Sequence, residues 1–257
     1  MMYDQKIICI IQARMSSNRL PGKVLKDICG HPMMHWVVSR ARKAKNLDDL
    51  VIATTTDPTD DLIVAWCEEN KINCFRGDVF DVLDRYYQAA KNFQADVIIR
   101  LTADCPLIDP DLIDLVIDAF FENKVDFAAN RLPPPYTRTY PIGLDIEVAS
   151  FTALSKAWRL AHLPFEREHV MPYIYSVKGR FNIQVLDADE DQGNRRWTVD
   201  TPEDLEFIRA LFNKLNCAAN FSWKEILNFL DQNPDLERIN ASITHKTYRD
   251  VDNRSKF

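Results

Sequence analysis

The sequence predicts an α/β fold with a mixed, mostly parallel sheet covered by helices on both faces. Over the first 130 residues, short apolar runs alternate with longer segments of helical periodicity, the order in which crossover helices link parallel strands. The apolar runs end abruptly at loops rich in Pro, Gly, Asp and Ser, which mark strand ends. With 257 residues and 46% apolar side chains, the chain is long enough to bury a sizeable core.

Taken in order, "KIICIIQ" (6–12) reads as a buried strand and "PMMHWVVSRARKA" (32–44) as a helix with one apolar face and a basic far side. "LVIATT" (50–55) is a strand. It leads into the helix "DPTDDLIVAWCEEN" (57–70), capped by Asp57 and opened by Pro58. "INCF" (72–75) is a short strand and "VFDVLDRYYQAAKNF" (79–93) a helix, on which Asp81, Asp84 and Arg85 form an i,i+3/i,i+4 charge pattern on one face. "DVIIRLT" (96–102) is a strand. "DPDLIDLVIDAFFEN" (109–123) is a helix with Asp109 at its N-cap and Asp111 in its first turn, and "VDFAAN" (125–130) is a further strand.

The pattern changes at residue 131. "RLPPPYTRTYPIGLDIEVAS" (131–150), with four prolines and a glycine, begins as a loop and closes with "LDIEVAS" as an edge strand or hairpin arm. Helices at about 150–160 and 164–176, a strand at 181–188, and helices at 201–215 and 221–232 follow, with a loosely attached polar tail after about 238. The expected organisation is one domain over 1–216, carrying an insertion at about 131–195, and a C-terminal helical extension and tail over 217–257.

Composition excludes several classes. The net charge is -6, from 38 acidic and 32 basic residues without long like-charge blocks, which argues against a nucleic-acid or membrane-surface binder. No apolar stretch approaches the roughly 20 residues needed to span a bilayer. With no export signal, the six scattered cysteines are expected to be reduced, in a cytoplasmic setting. Cysteine and histidine never gather at zinc-ligand spacing.

The chemistry concentrates where "IICIIQ" runs into "ARMSSNRLPGKVL" (13–25), because open α/β sheets bind ligands at the carboxyl ends of their strands. Arg14, Arg19 and Lys23 supply positive charge, Ser16 and Ser17 hydroxyls, and Gly22 close backbone approach. The set suits a polyphosphate, although solvated surface charge is the plain alternative. Two acids stand at later strand ends: Asp104 in "LTADCPLID" and Asp200 in "RRWTVDTPEDL", the latter closing a short strand-like "RWTV". Either could serve only locally, Asp104 in an Asx turn ahead of Pro106 and Asp200 as a helix cap.

"QARMSSNRLPGKVL" resembles the signature loop of the cytidylyltransferases that activate 3-deoxy-manno-octulosonate and sialic acids, close to P-A-R-x-x-S-x-R-L-P-G-K, with Gln12 in place of the leading proline. "D-x-P-L-I" around Asp104, "V-D-T-P-E-D-L" around Asp200 and "RGDVFDVLDRYY" (76–87) are similar to further stretches of that family. "YPIGLDIEVAS" and "PFEREHVMPYIY" resemble its spore coat polysaccharide biosynthesis F-type branch. The resemblance covers about residues 6–212. It implies a single Rossmann-like nucleotide-diphospho-sugar transferase (GT-A-like) domain with a dimerisation and acceptor insertion, acting as a nucleotidyltransferase in surface polysaccharide or glycan synthesis. By that resemblance Ala13, Arg14, Ser16, Ser17, Arg19, Gly22, Lys23 and Arg76 bind a nucleoside triphosphate, CTP by family. Asp104 and Asp200 hold Mg²⁺, and Arg14, Lys23, Asp104 and Asp200 are catalytic. If the insertion folds back over the ligand edge, Arg138, Glu147, Arg167 and His169 would face an acidic sugar acceptor, Arg167 as a bidentate fork; the plain alternative is that "EREH" is an ion-paired helix surface and His169 a structural histidine. A homodimer, without nucleic-acid or membrane partners, is implied as well.

Three readings remain beside this one: a nucleotidyltransferase using another triphosphate with a sugar 1-phosphate, a glycosyltransferase of the same fold, and a catalytically silent nucleotide-binding protein. "DPD" at 109–111 matches the D-x-D spelling of glycosyltransferase metal motifs, although it falls at a helix N-cap.

Overall fold

The computed structural model describes residues 3–244. Its strands are β1 (Ile7–Gln12), β2 (Asp27–Ile28), β3 (His31–Pro32), β4 (Asp49–Thr55), β5 (Asn73–Gly77), β6 (Val97–Thr102), β7 (Phe127–Ala129), β8 (Glu147–Ser150) and β9 (Ile183–Val185). The α-helices are α1 (Met33–Ala41), α2 (Asp61–Glu69), α3 (Val82–Asn92), α4 (Pro110–Glu122), α5 (Phe151–Leu160), α6 (Pro164–His169), α7 (Pro172–Tyr175), α8 (Pro202–Lys214) and α9 (Trp223–Gln232).

Seven strands form one sheet in the order β5-β4-β1-β6-β8-β7-β9, and β2 pairs with β3 in a small separate ribbon. β1 lies between β4 and β6, parallel to both, which is why its run of isoleucines is apolar on both faces. β8 alone in this sheet runs against its neighbours, so the start of β8 shares an edge with the carboxyl ends of the other six strands. Ile8, Ile10 and Ile98 on one face pack with Leu83 and Tyr86 of α3, Leu154 of α5 and Ile174 of α7. Cys9, Ile11 and Ile99 on the other face pack with Val37 of α1, Val116 of α4, Ile208 of α8 and Ile226 of α9. No helix among the described residues is long and apolar enough to cross a membrane.

Several expectations are corrected. Of the two expectations for "LDIEVAS", the hairpin arm holds, β8 pairing antiparallel with the preceding β7, and the edge strand does not: β8 also pairs with β6 and is internal, with Val148 and Ala149 fully buried. Its prolines all precede the pairing residues, so the ladder loses no donor. The helix over 164–176 is two short ones, separated at Val170, whose φ is 72°, with Pro172 opening the second. The strand at 181–188 pairs only over Ile183–Val185, and "RWTV" makes an isolated bridge between Ile142 and Arg196. The segment after Asp57 first winds one tight turn, Pro58–Asp60, before α2.

The charged faces of α3 and α1 are corrected as well, since their charges bond to other elements rather than pair along their own helix. Arg85 is buried and reaches the Ala53 carbonyl at 3.5 Å, while Asp81 caps α3 and Asp84 accepts from the Trp158 indole at 2.8 Å. Arg40, on the expected basic face of α1, is buried too. It donates to the carbonyls of Ile108, Ala219 and Phe221 at 2.7–3.0 Å, fastening the C-terminal extension. Periodicity locates a charge on a helix but not the loop that will cover it. Cys29 and Cys217 are not reduced thiols: they form a disulfide across 188 residues, while Cys9, Cys67, Cys74 and Cys105 are free thiols. The tail after 238 is anchored at buried Asn240, which donates to the Arg196 carbonyl and to Asp204; the remainder of that tail, from 245, lies outside the described residues.

Candidate active site

The loop after β1 is held in shape mainly by its own backbone. Ser17 and Gly22 both donate their N–H groups to the Met15 carbonyl at 2.9 Å, drawing residues 15–22 into a closed turn. Gly22 sits at φ 66°, the left-handed region that disfavours side chains, and an added Cβ would lie 3.2 Å from the Met15 methyl. One tight helical turn, Lys23–Leu25, follows, and Lys23 turns inward from its first position. The loop is fixed to the sheet through buried Asp60, whose carboxylate accepts from the Met15 N–H at 2.7 Å and from Thr54 and Thr55 at 2.5–3.1 Å.

Asp104 and Asp200 are 96 residues apart, yet backbone hydrogen bonding brings them together. The Val199 N–H donates to the Asp104 carbonyl at 2.8 Å, and the Thr198 hydroxyl reaches the same oxygen at 3.3 Å. Neither acid is used as the local alternatives proposed. Thr201, not Asp200, caps α8, and the Asp104 carboxylate receives Lys23 at 2.6 Å. Lys23 Nζ also donates to Asp200 Oδ1 at 2.8 Å and to the Val199 carbonyl at 2.9 Å. Arg19 contacts Asp200 Oδ2 at 2.9 Å and Arg196 contacts it at 3.0 Å. Arg196 is itself gripped by fully buried Asp204 through two bonds of 2.8 Å.

The charges reinforce one another. Burial opposes the charge on Lys23, but Asp104 and Asp200 outweigh it and push the ammonium's pKa up. Burial likewise opposes ionisation of Asp200, and Lys23, Arg19 and Arg196 together hold its carboxyl below the usual range. Among the described residues, no group of three or more His, Cys, Asp and Glu side chains could hold a metal ion. Two carboxylates beside a carbonyl do fit Mg²⁺, which usually takes one or two protein carboxylates and completes its shell with water and substrate phosphates.

The acceptor-side residues behave differently. Glu147 faces Arg100 across β8 and β6 and is ion-paired with it, and Arg100 donates as well to the Gln12 side chain at 3.1 Å. Arg138 forms a two-pronged pair with Asp145 at 2.5 and 3.1 Å, with Arg131 at 3.5 Å. The Arg167 fork closes on Asp81 at 2.5–3.1 Å and on the Trp158 carbonyl at 2.7 Å, joining α6 to α3; His169 ends α6. Arg76 donates to the carbonyls of Thr55 and Asp57 and to Asp61, bracing the turn after β4. The structure thus brings Arg19 and Lys23 of the 13–25 loop, which also carries Ala13, Arg14, Ser16, Ser17 and Gly22, together with Asp104 and Asp200, and gives Arg76 and Arg167 bracing contacts elsewhere. Asp109 does what its N-cap position suggests: it accepts from the N–H groups of Asp111, Leu112 and Trp223, which leaves "DPD" as a structural cap.

With this geometry in place, a family model described as Cytidylyltransferase matches residues 8–237. The chain belongs to the cytidylyltransferase family. It is similar to the spore coat polysaccharide biosynthesis protein SpsF of Bacillus subtilis (strain 168), 37% identical over 89% of this chain and 95% of that protein. The solved structure of a cytidylyltransferase from Leptospira borgpetersenii serovar Hardjo-bovis (strain JB197) is 32% identical, covers 94% of this chain and 100% of its own, and superposes with a TM-score of 0.86. A CMP:2-keto-3-deoxy-manno-octonic acid synthetase complexed with CTP, 22% identical over 82% of this chain and 99% of its own, shares the fold with a TM-score of 0.63. Membership makes the protein a nucleotidyltransferase on a Rossmann-like α/β domain.

Sequence reasoning missed Asp60, Arg196 and the Arg100–Gln12 contact. Arg196 had one visible signal, its four-residue spacing from Asp200 and eight-residue spacing from Asp204. Asp60 had none for its role at the site, because the Met15 N–H that it receives belongs to the distant loop after β1, although Thr54 and Thr55 lie close in sequence.

Proposed function

We propose that the protein transfers CMP from CTP to an acidic sugar, releasing pyrophosphate, and so prepares an activated sugar for surface polysaccharide or glycan synthesis. The observation that carries this reading is the convergence of Lys23 of the 13–25 loop with Asp104 and Asp200 at the carboxyl edge of the sheet. CTP is supported by the family and by the CTP bound in the octonic acid synthetase; the sugar is supported by what the similar spore coat and octonic acid proteins act in.

In this reading a hydroxyl oxygen of the acceptor attacks the α-phosphorus, the bond from that phosphorus to the bridging oxygen breaks, and pyrophosphate departs with that electron pair while the hydroxyl proton passes to solvent. Arg14, Arg19 and Lys23 draw the β- and γ-phosphates into the loop; its closed turn uses the Ser17 and Gly22 N–H groups on the Met15 carbonyl, so the Ser16 and Ser17 hydroxyls are the serine donors toward phosphate. Asp104 and Asp200 would hold Mg²⁺, which when bound supplies charge neutralisation at the phosphate under attack. Asp60 keeps the loop fixed to β4, so that phosphates meet a preformed cradle. Asp145, Arg131 and Arg138 stand at the same sheet edge between β7 and β8, on the side where an acceptor would enter. A homodimer built through the insertion at about 131–195 belongs to the same proposal.

The test is pyrophosphate release across CTP, UTP, GTP and ATP against nonulosonic acids, 3-deoxy-octulosonate and sugar 1-phosphates. Release that requires CTP and an acidic sugar, and fails in Asp104→Ala, is expected. Release with another base, or with a sugar 1-phosphate only, would replace this reading with another nucleotidyltransferase activity.

A further inference from the structure

The Lys23 ammonium lies among the oxygens assigned above to a metal. Its three N–H donors point to Asp104 Oδ2 at 2.6 Å, Asp200 Oδ1 at 2.8 Å and the Val199 carbonyl at 2.9 Å. This all-oxygen nest, with two carboxylates, is also what a hard divalent cation seeks. Around it, Lys23, Arg19 and Arg196 face Asp104, Asp200 and Asp204, so cations and carboxylates balance. A divalent ion entering with Lys23 in place would meet a like charge at contact distance. A divalent ion arriving on a triphosphate brings anionic oxygens, to which the long lysine stem can swing its ammonium.

We propose that Lys23 occupies the metal's oxygen ligands in the nucleotide-free enzyme and yields them when divalent cation and triphosphate arrive together, so that metal uptake is conditional on nucleotide. The proposal rests on the metal and nucleotide assignments of the preceding section. Two features make the exchange workable. Arg19 and Arg196 stay on Asp200 Oδ2, so the carboxylate keeps its place when Lys23 leaves Oδ1. Arg196 cannot follow Lys23, because Asp204 and the Asn240 bond to its carbonyl hold it. Lys23 therefore has two tasks, holding the empty site together and then meeting phosphate, and it excludes unproductive metal in the first.

The test uses the full chain without nucleotide and follows free Mn²⁺ by its electron paramagnetic resonance signal. Lys23→Met and Lys23→Gln are expected to bind Mn²⁺ alone at least about tenfold more tightly than the unaltered protein, since removing a contact charge favours a cation. Adding Asp104→Asn to either variant should erase the gain, and adding CTP to the unaltered protein should restore tight Mn²⁺ binding. Equal Mn²⁺ affinity with and without Lys23, or a gain that survives Asp104→Asn, would overturn the proposal. If loss of the ammonium leaves the two carboxylates repelling strongly enough to unfold the chain, Mn²⁺ must restore a cooperative melting transition; variants that Mn²⁺ does not rescue count against it. Because the metal-alone arm needs neither CTP nor sugar, it can fail while CMP transfer stands, and it can hold if the substrate screen points to another nucleotide.

Discussion

The two ends of the site edge use charge in opposite ways. At the 13–25 loop, Arg19, Lys23 and Arg196 converge on Asp200, and one ammonium bridges two carboxylates at the surface of a ligand-binding edge. On the acceptor side, arginines close mostly on one acid each: Arg100 of β6 on Glu147, Arg167 on Asp81, and Arg138 on Asp145, which Arg131 shares. A shared carboxylate can exchange partners when a ligand arrives, whereas a fork closed on its own acid mainly fastens elements together. The first region reads as machinery and the second largely as framework, with Arg131, Arg138 and Asp145 at the boundary.

Substitutions can break or sharpen that contrast. The largest effect is expected for Asp200→Ala: in the proposed function this carboxylate would hold Mg²⁺ at the phosphate under attack, so pyrophosphate release should fall roughly 10²- to 10³-fold, with the melting temperature lowered modestly. Asp204→Ala should do the reverse in emphasis. It leaves buried Arg196 without its main partner, so unfolding measurements in urea should show a loss of about 3–5 kcal/mol. Asp60→Asn should raise the KM for the triphosphate about tenfold with a smaller change in kcat, since the loop loses a charged acceptor worth about 1.5–3 kcal/mol. Arg167→Ala should lower stability by about 1–2 kcal/mol and leave the sugar KM unchanged. A raised sugar KM there would move Arg167 from framework to acceptor binding.

The smallest effect is the pH dependence. Asp200 and Asp204 are both held below their ordinary value of 3.8, so their contribution to stability is present above that value and lost as pH falls from there through the folded pKa. Lys23 is raised above 10.5, so its contribution is complete below that value and lost only as pH rises through the folded pKa. From these three groups the melting temperature should stay flat between about pH 5 and 9. The acid-side decline should be shallower in Asp204→Asn.

The alternation of strands and helices along the first 130 residues, the Asp109-capped start of α4 and the loop holding Lys23 were legible because local periodicity, Pro, Gly and capping residues encode them; the spatial order of the strands and the Asp81 and Thr201 caps of α3 and α8 were not. The internal place of β8 was not legible, since a four-residue strand, "EVAS", with two apolar residues does not reveal how many neighbours it will have. Nor were the destinations of Arg40, Arg85 and Arg167, whose partners are carbonyls and acids from distant segments. At the site, the motif identified Asp104 and Asp200, but only the fold showed that the Val199–Asp104 backbone bond draws them onto one lysine.

The most direct measurement is the fate of the α-phosphorus of CTP labelled at that atom, incubated with an acidic sugar acceptor, with Asp104→Asn as control. The account predicts that the label appears on the sugar as a CMP adduct, in step with pyrophosphate, and that the variant loses both. Label remaining in CTP or appearing in CDP while the acceptor is modified, or transfer undiminished in Asp104→Asn, would contradict it.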